Sequence, residues 1–276
     1  MFCEILKAIL YGVVEGVTEW LPVSSTGHMI LVGSLVRFDG ASAGFEDVFE
    51  VVVQLGAVLA VCVLFRGRFA VLRRAANGRI APDRGRIALW GKVAVACLPA
   101  VAAGLFLDDF AEAHFHNPVS VSLALIVVGA AFIGIERVRC GKAPRVTSAD
   151  ALTVGDALAV GLFQALAAIF PGTSRSGATI LGGLAIGVDR GAAAEFTFLA
   201  AVPVMAGASL FRIAKAGFSF TAAEYAALAA GTLTAFLVSL LAVRFLMNFV
   251  RRRDFTPFGV YRIVLGAAVL VMHAVG

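Results

Sequence analysis

A chain of 276 residues that is 60% hydrophobic and only 15% charged, with a mean hydropathy of +0.93, is too apolar for a soluble domain. The net charge of +5 would suit a nucleic-acid partner, but the basic residues crowd into loops beside apolar stretches, where membrane orientation accounts for them and no nucleic acid is expected. The four cysteines, Cys3, Cys62, Cys97 and Cys140, form no CxxC or Cys/His cluster, which argues against a metal or redox pair built from them.

The first apolar piece, about 2–18, is interrupted by Glu4, Lys7 and Glu15, with Glu19 just beyond. It lacks the apolar core and cleavage site of a signal peptide and is expected to stay in the mature protein. Pro22 ends it, and a second short piece follows over about 26–36. The first predicted span covers about 45–65. Arginines at 66, 68, 73, 74, 79, 84 and 86 lead into a span over about 87–107, the acidic loop of Asp108, Asp109 and Glu112, and a span over about 117–136. After a basic loop of Arg137, Arg139, Lys142 and Arg145, two more short apolar pieces, about 152–169 and 178–188, flank Pro171. Spans over about 192–213, 224–247 and 258–275 complete the chain, with Arg251, Arg252 and Arg253 between the last two. Each of the six is near the ~20 residues that cross a hydrocarbon core. The positive-inside rule makes the basic loops cytoplasmic, and both termini then fall outside.

The same register that separates Pro22 from Pro171 by 149 residues also pairs Gly12 with Gly161, Ser25 with Ser174, Glu46 with Glu195, and Phe49 with Phe198. Five identities in one ungapped register indicate an internal repeat, about 1–140 and 150–276 within a single membrane domain of residues 1–276. Three spans per repeat invert the second copy relative to the first. The short Pro-interrupted pieces at corresponding positions predict four re-entrant helices around a midplane site. The expected fold is an all-α integral membrane protein with an inverted-topology repeat, six transmembrane helices and four short re-entrant helices.

Each break is followed by a hydroxyl-rich run, VSSTGH at 23–28 and GTSRSG at 172–177, and then by a resumed apolar helix. Unpaired N–H groups at such helix starts favour an anion, so Ser24, Thr26, Gly27, Gly172, Thr173, Ser174 and Ser176 are candidate phosphate binders. Arg175 is the candidate clamp, because a guanidinium grips phosphate oxygens bidentately; the bland alternative is a snorkelling arginine. Glu15 and Glu19 share a helix face at i, i+4 and would repel unless a cation or proton lay between them. A divalent metal bridging them to phosphates fits, against the bland reading of an exposed interfacial face, since an intramembrane acid costs about 2.5–3.5 kcal/mol. Trp20 suits either a belt anchor or a site wall. Ser25 and His28 at i, i+3 suit a nucleophile and its base, although a lone histidine is more often a structural hydrogen-bonder. His114, His116 and His273 lack such company, and Glu46 and Glu195 are structural candidates, for which capping the first long spans is a sufficient role.

With EGVTEWLPVSSTGH and PGTSRSGAT both in view, the chain resembles the undecaprenyl-pyrophosphate phosphatase family, also called the bacitracin-resistance family, over essentially its whole length. The resemblance implies a bacterial inner-membrane enzyme that hydrolyses a polyprenyl diphosphate to the monophosphate, recycling the lipid carrier for cell-wall synthesis. It places the important residues at Glu15, Glu19, Ser25, His28 and Arg175. It also implies dependence on Mg²⁺ or Ca²⁺ and a site open to the outer face. Trp20, where phenylalanine is more familiar, is a small departure. Attack by Ser25 with His28 as base, and direct attack by water with a glutamate as base, are equally compatible with the residues. The alternative function is a transporter of a polyprenyl phosphate lipid, since inverted repeats with broken helices are transporter architecture. Expected partners are the diphosphate lipid and membrane lipids, with a homo-oligomer left open.

Overall fold

The computed structural model describes residues 2–39, 41–74, 80–216 and 219–275; Arg79 of the first basic segment lies outside them. Among the described residues six helices are long and apolar enough to cross a membrane: α3 (Phe45–Leu64), α5 (Arg84–Phe115), α6 (Pro118–Arg139), α9 (Arg190–Ala216), α10 (Ala222–Phe249) and α11 (Thr256–Val275). Four shorter helices precede them in pairs, α1 (Phe2–Thr18) with α2 (Ser25–Leu35), and α7 (Val154–Ile169) with α8 (Arg175–Ala185). The chain is an all-α, multi-pass membrane protein. One departure from the sequence expectation lies in the first basic segment, where the short helix α4 (Arg66–Phe69) is followed by a two-stranded antiparallel hairpin, Leu72–Arg74 with Ile80–Pro82.

Local signals set where these helices begin. Asn117 accepts a hydrogen bond from Ser120 N and Pro118 occupies the first turn of α6, where its missing N–H costs nothing. Thr153 with Asp156 and Thr221 with Glu224 form reciprocal capping boxes at the starts of α7 and α10. Large apolar side chains such as Phe106 and Phe211 stay exposed on the outside of the bundle, as lipid contact requires.

The two halves exchange partners. Helix α1 packs on α10, while its counterpart α7 packs on α5, the counterpart of α10; α3 meets α9 and α6 meets α11. Glycine makes the exchanged contacts close. A Cβ on Gly12 would sit 2.4 Å from the Gly231 carbonyl oxygen, and one on Gly161 would sit 2.5 Å from that of Ala96. These matched glycines let α1 and α7 lie backbone to backbone against a long span of the other half. The breaks after α1 and α7 are thereby carried into the same region of the molecule.

Glu195 is structural, through a tertiary ion pair and not through capping. It accepts from Arg68 Nε at 2.6 Å, tying α9 to α4. Glu46 lies in the first turn of α3, where a negative charge complements the helix dipole. Trp20 is not a belt anchor: it is 1% exposed and meets Phe198 edge-on at 5.4 Å within the central apolar cluster, directly after Glu19 in the chain. All four cysteines are free thiols.

Candidate active site

The two breaks share one backbone solution. Ser24 and Ser174 are the non-glycine residues with positive φ among those described, 73° and 66°, and each caps the helix that follows. Ser24 Oγ accepts from Gly27 N and Ser174 Oγ from Gly177 N, at 3.4 and 3.2 Å. Such φ values are rare for residues bearing a Cβ and persist where surrounding structure enforces them. The shared geometry equates Ser24 with Ser174, one residue away from the ungapped register that pairs Ser25 with Ser174. The second loop holds one extra residue after its proline, which the linear pattern does not reveal. Gly172 takes φ 91°, and a Cβ there would lie 2.5 Å from the Val121 carbonyl oxygen.

In this corrected register Ser25 and Arg175 are equivalent, each the first residue of its re-entrant helix. Both reach Glu19. Ser25 Oγ donates to Oε2 at 2.9 Å and Arg175 Nη2 donates to Oε1, so one carboxylate joins the two halves. Ser176 Oγ adds a donation to the Glu19 carbonyl oxygen at 3.0 Å and lies 3.1 Å from Ser174 Oγ. The residues at 24–28 and 173–177 therefore belong to a single place in the fold.

Glu15 and Glu19 are 2% and 7% exposed, which removes the reading of an exposed interfacial face. Glu15 Oε1 is buried without a hydrogen-bond partner, an expensive state unless something polar meets it. Both Glu19 oxygens are occupied. The corresponding positions in the second half hold Gln164 and Ala168, and Gln164 Nε2 donates to the Ala96 carbonyl oxygen at 3.2 Å. The carboxylates thus come from one half and the arginine from the other. Pseudo-symmetric loops carry an asymmetric set of charges.

His28 does not meet Ser25. Its Nδ1 is 2.7 Å from the Ser24 carbonyl oxygen and its Nε2 is 2.6 Å from Tyr261 Oη, with the two rings stacked. A carbonyl can only accept, so Nδ1 carries a proton, and in the neutral imidazole Nε2 accepts from the tyrosine hydroxyl. The carboxylate that accepts from Ser25 is Glu19. The i, i+3 spacing brings His28 onto the right face of α2, but the competing local bond to the carbonyl four residues back turns the ring towards α11.

Helix α11 supplies two residues that motif reading passes over. Tyr261 holds His28, and the adjacent Arg262, completely buried, donates to the carbonyl oxygens of Pro22 at 3.2 Å, Gly172 at 2.8 Å and Thr173 at 2.9 Å. The signal for Arg262 was available: an arginine within an apolar span is a functional-site candidate by default. Tyr261 carried no such signal, because interfacial tyrosines are common in spans.

Two helix N-termini contributed by opposite halves, hydroxyls, a guanidinium and paired carboxylates meet at one place inside a membrane protein, a set of groups whose chemistry suits an anionic ligand. The chain belongs to the bacitracin resistance protein BacA family, whose model matches residues 8–268. It is 50% identical to undecaprenyl-diphosphatase 1 of Clostridium acetobutylicum, with 97% of each chain aligned. It is 48% identical to undecaprenyl-diphosphatase of Desulfitobacterium hafniense over 97% of this chain and 95% of the relative, and 47% identical to that of Enterococcus faecalis over 99% of both.

Proposed function

We propose that this protein is a membrane phosphatase that hydrolyses undecaprenyl diphosphate to the monophosphate and inorganic phosphate. The observation that carries the reading is Glu19 held between Ser25 and Arg175, a hydroxyl and a guanidinium on one buried carboxylate, which supports Ser25 as nucleophile, Glu19 as its acceptor and Arg175 as anion clamp. The names of the relatives point to the same substrate. A lipid carrier without hydrolysis would have the broken-helix architecture in its favour, but no use for a serine bonded to a buried carboxylate.

The terminal phosphate sits between the starts of α2 and α8, with Arg175 as its clamp and the Ser24, Ser174 and Ser176 hydroxyls around it. Thr26, Gly27, Gly172 and Thr173 shape the two loops. In the covalent route Ser25 Oγ bonds to the terminal phosphorus while the anhydride P–O bond breaks, and Glu19 accepts the hydroxyl proton. The monophosphate lipid leaves, and water then releases inorganic phosphate from the serine. In the direct route water, activated by Glu19, attacks the same phosphorus. His28, held by the Ser24 carbonyl and Tyr261 Oη, orients the first turn of α2 that carries Ser25.

The unpartnered Glu15 Oε1, one turn before Glu19, gives the site a hard oxygen donor, so the residues fit a divalent cation completed by phosphate oxygens; no cluster of three protein ligands exists among the described residues. Glu15 and Glu19 would hold Mg²⁺ or Ca²⁺, which when bound neutralises phosphate charge. The protein would lie in the bacterial inner membrane with both termini and the site facing out, its partners the diphosphate lipid and surrounding lipids. A homo-oligomer is compatible with this reading.

Phosphate release from a long-chain polyprenyl diphosphate by detergent-solubilised protein tests the reading. Hydrolysis that survives loss of the bilayer is the expected result, and none at any cation concentration would refute it.

A further inference from the structure

We propose that Arg262 is a positioning residue of the diphosphate site, clamping the two broken loops to one another and lending the site a fixed positive charge. The proposal rests on the phosphatase reading above. Its observations are separate from those of Glu19 and Arg175, because Arg262 comes from a different helix and its hydrogen bonds go to Pro22, Gly172 and Thr173.

Three carbonyl oxygens receive its donors. Nη1 reaches Pro22 O in the first break, and Nη2 reaches Gly172 O and Thr173 O in the second. Those carbonyls lie one or two residues before Ser24 and Ser174, whose positive φ sets the direction of α2 and α8. One planar guanidinium therefore fixes the spacing between the two strained turns. A Cβ added to Gly177 would lie 3.1 Å from Nη1, which puts the charge against the first turn of α8.

The charge has no acid to answer it. Arg262 is absent from the ion pairs formed among the described residues, and the site carboxylate Glu19 is taken by Ser25 and Arg175. Its Nε is buried with no partner. Carbonyl dipoles stabilise a guanidinium only in part, and burying an arginine without a counter-charge is costly. A neutral side chain could pin two loops more cheaply. The retained charge is explained if the occupant of the site is a polyanion, since in a low-dielectric setting an uncompensated cation acts on a phosphate even without contact. Tyr261, the preceding residue, holds His28, so one turn of α11 addresses both the cradle and the histidine.

The test uses full-length wild-type, Arg262→Met and Arg262→Lys proteins in detergent, each first shown to be folded by its melting transition. Phosphate release is then followed against polyprenyl diphosphate concentration. The methionine variant is expected to raise KM at least tenfold and lower kcat at least a hundredfold. The lysine variant keeps the charge but not the fork, and should hold KM within threefold while losing at least tenfold in kcat. A methionine variant that melts lower yet retains wild-type KM and kcat would overturn the proposal, because a merely structural tie behaves in that way. If the methionine variant does not fold, the lysine variant decides: wild-type kcat overturns the proposal, and a tenfold loss at unchanged KM supports it. A wild-type protein that releases no phosphate would refute the phosphatase reading instead. The role of Arg262 is then decided by binding of labelled inorganic pyrophosphate, expected at least tenfold weaker in the methionine variant and unchanged if the proposal is wrong.

Discussion

Glu19→Gln removes one charge and almost no volume from the centre of the site. Glu19 is 7% exposed and accepts two hydrogen bonds from opposite halves, so its replacement acts on chemistry and assembly together. A glutamine can still accept from Arg175 through its carbonyl oxygen, but its NH₂ group cannot accept from Ser25 Oγ. The acceptor for the nucleophile's proton is lost, which costs about 10²–10⁴-fold in rate. At about 1.36 kcal/mol per tenfold, the barrier rises by about 3–5 kcal/mol. Stability falls by about 1.5–3 kcal/mol, as for a hydrogen bond to a charged group, because Arg175 keeps its charge in a largely buried place. Phosphate release from a long-chain polyprenyl diphosphate gives the first quantity, and the melting temperature in detergent gives the second. A variant within tenfold of wild-type kcat would refute the assignment of Glu19 as acceptor for either Ser25 or water.

Other substitutions separate the remaining roles. Ser25→Ala is expected to remove any phosphoenzyme and lower kcat at least a thousandfold; near-normal turnover would eliminate the covalent route. Tyr261→Phe keeps the stacked ring but loses the bond to His28 Nε2, and steady-state kinetics should show kcat about tenfold lower with KM unchanged. Chelation of divalent cations should abolish phosphate release, and Mg²⁺ or Ca²⁺ should restore it; activity that persists in chelator would remove the metal from Glu15 and Glu19. Gly161→Val forces a side chain onto the Ala96 carbonyl oxygen and should destabilise by at least the 1–3 kcal/mol typical of overpacking. Gly134→Ala, with nothing within 4 Å of the added carbon, should leave the melting temperature unchanged or higher.

The spans were legible because each is a long apolar run, and the structure keeps all six within a few residues of their expected limits except α5, which extends through the acidic loop to Phe115. The four short helices were legible through their prolines and matched positions. What pattern reading could not supply was orientation within a turn. His28 sits on the expected face of α2, yet its ring is captured by the Ser24 carbonyl and by a tyrosine 233 residues away. The ungapped register misaligned Ser25 with Ser174, since one extra residue in a loop is invisible where the flanking prolines still agree. Gly172 and Ser174 read as phosphate binders by composition alone, whereas their backbone angles show a second constraint on those positions. Arg262 was signalled by its charge within an apolar span, but its partners are backbone carbonyls, which no side-chain motif encodes.

A double-mutant cycle between Glu19→Gln and Arg175→Ala in kcat/KM tests most directly whether the two halves act on one headgroup. Residues that serve a single bound phosphate are strongly non-additive. The double variant should be no more than about threefold worse than the poorer single variant. Losses that multiply to within about twofold would mean that the two residues work independently, and a shared diphosphate site would be contradicted.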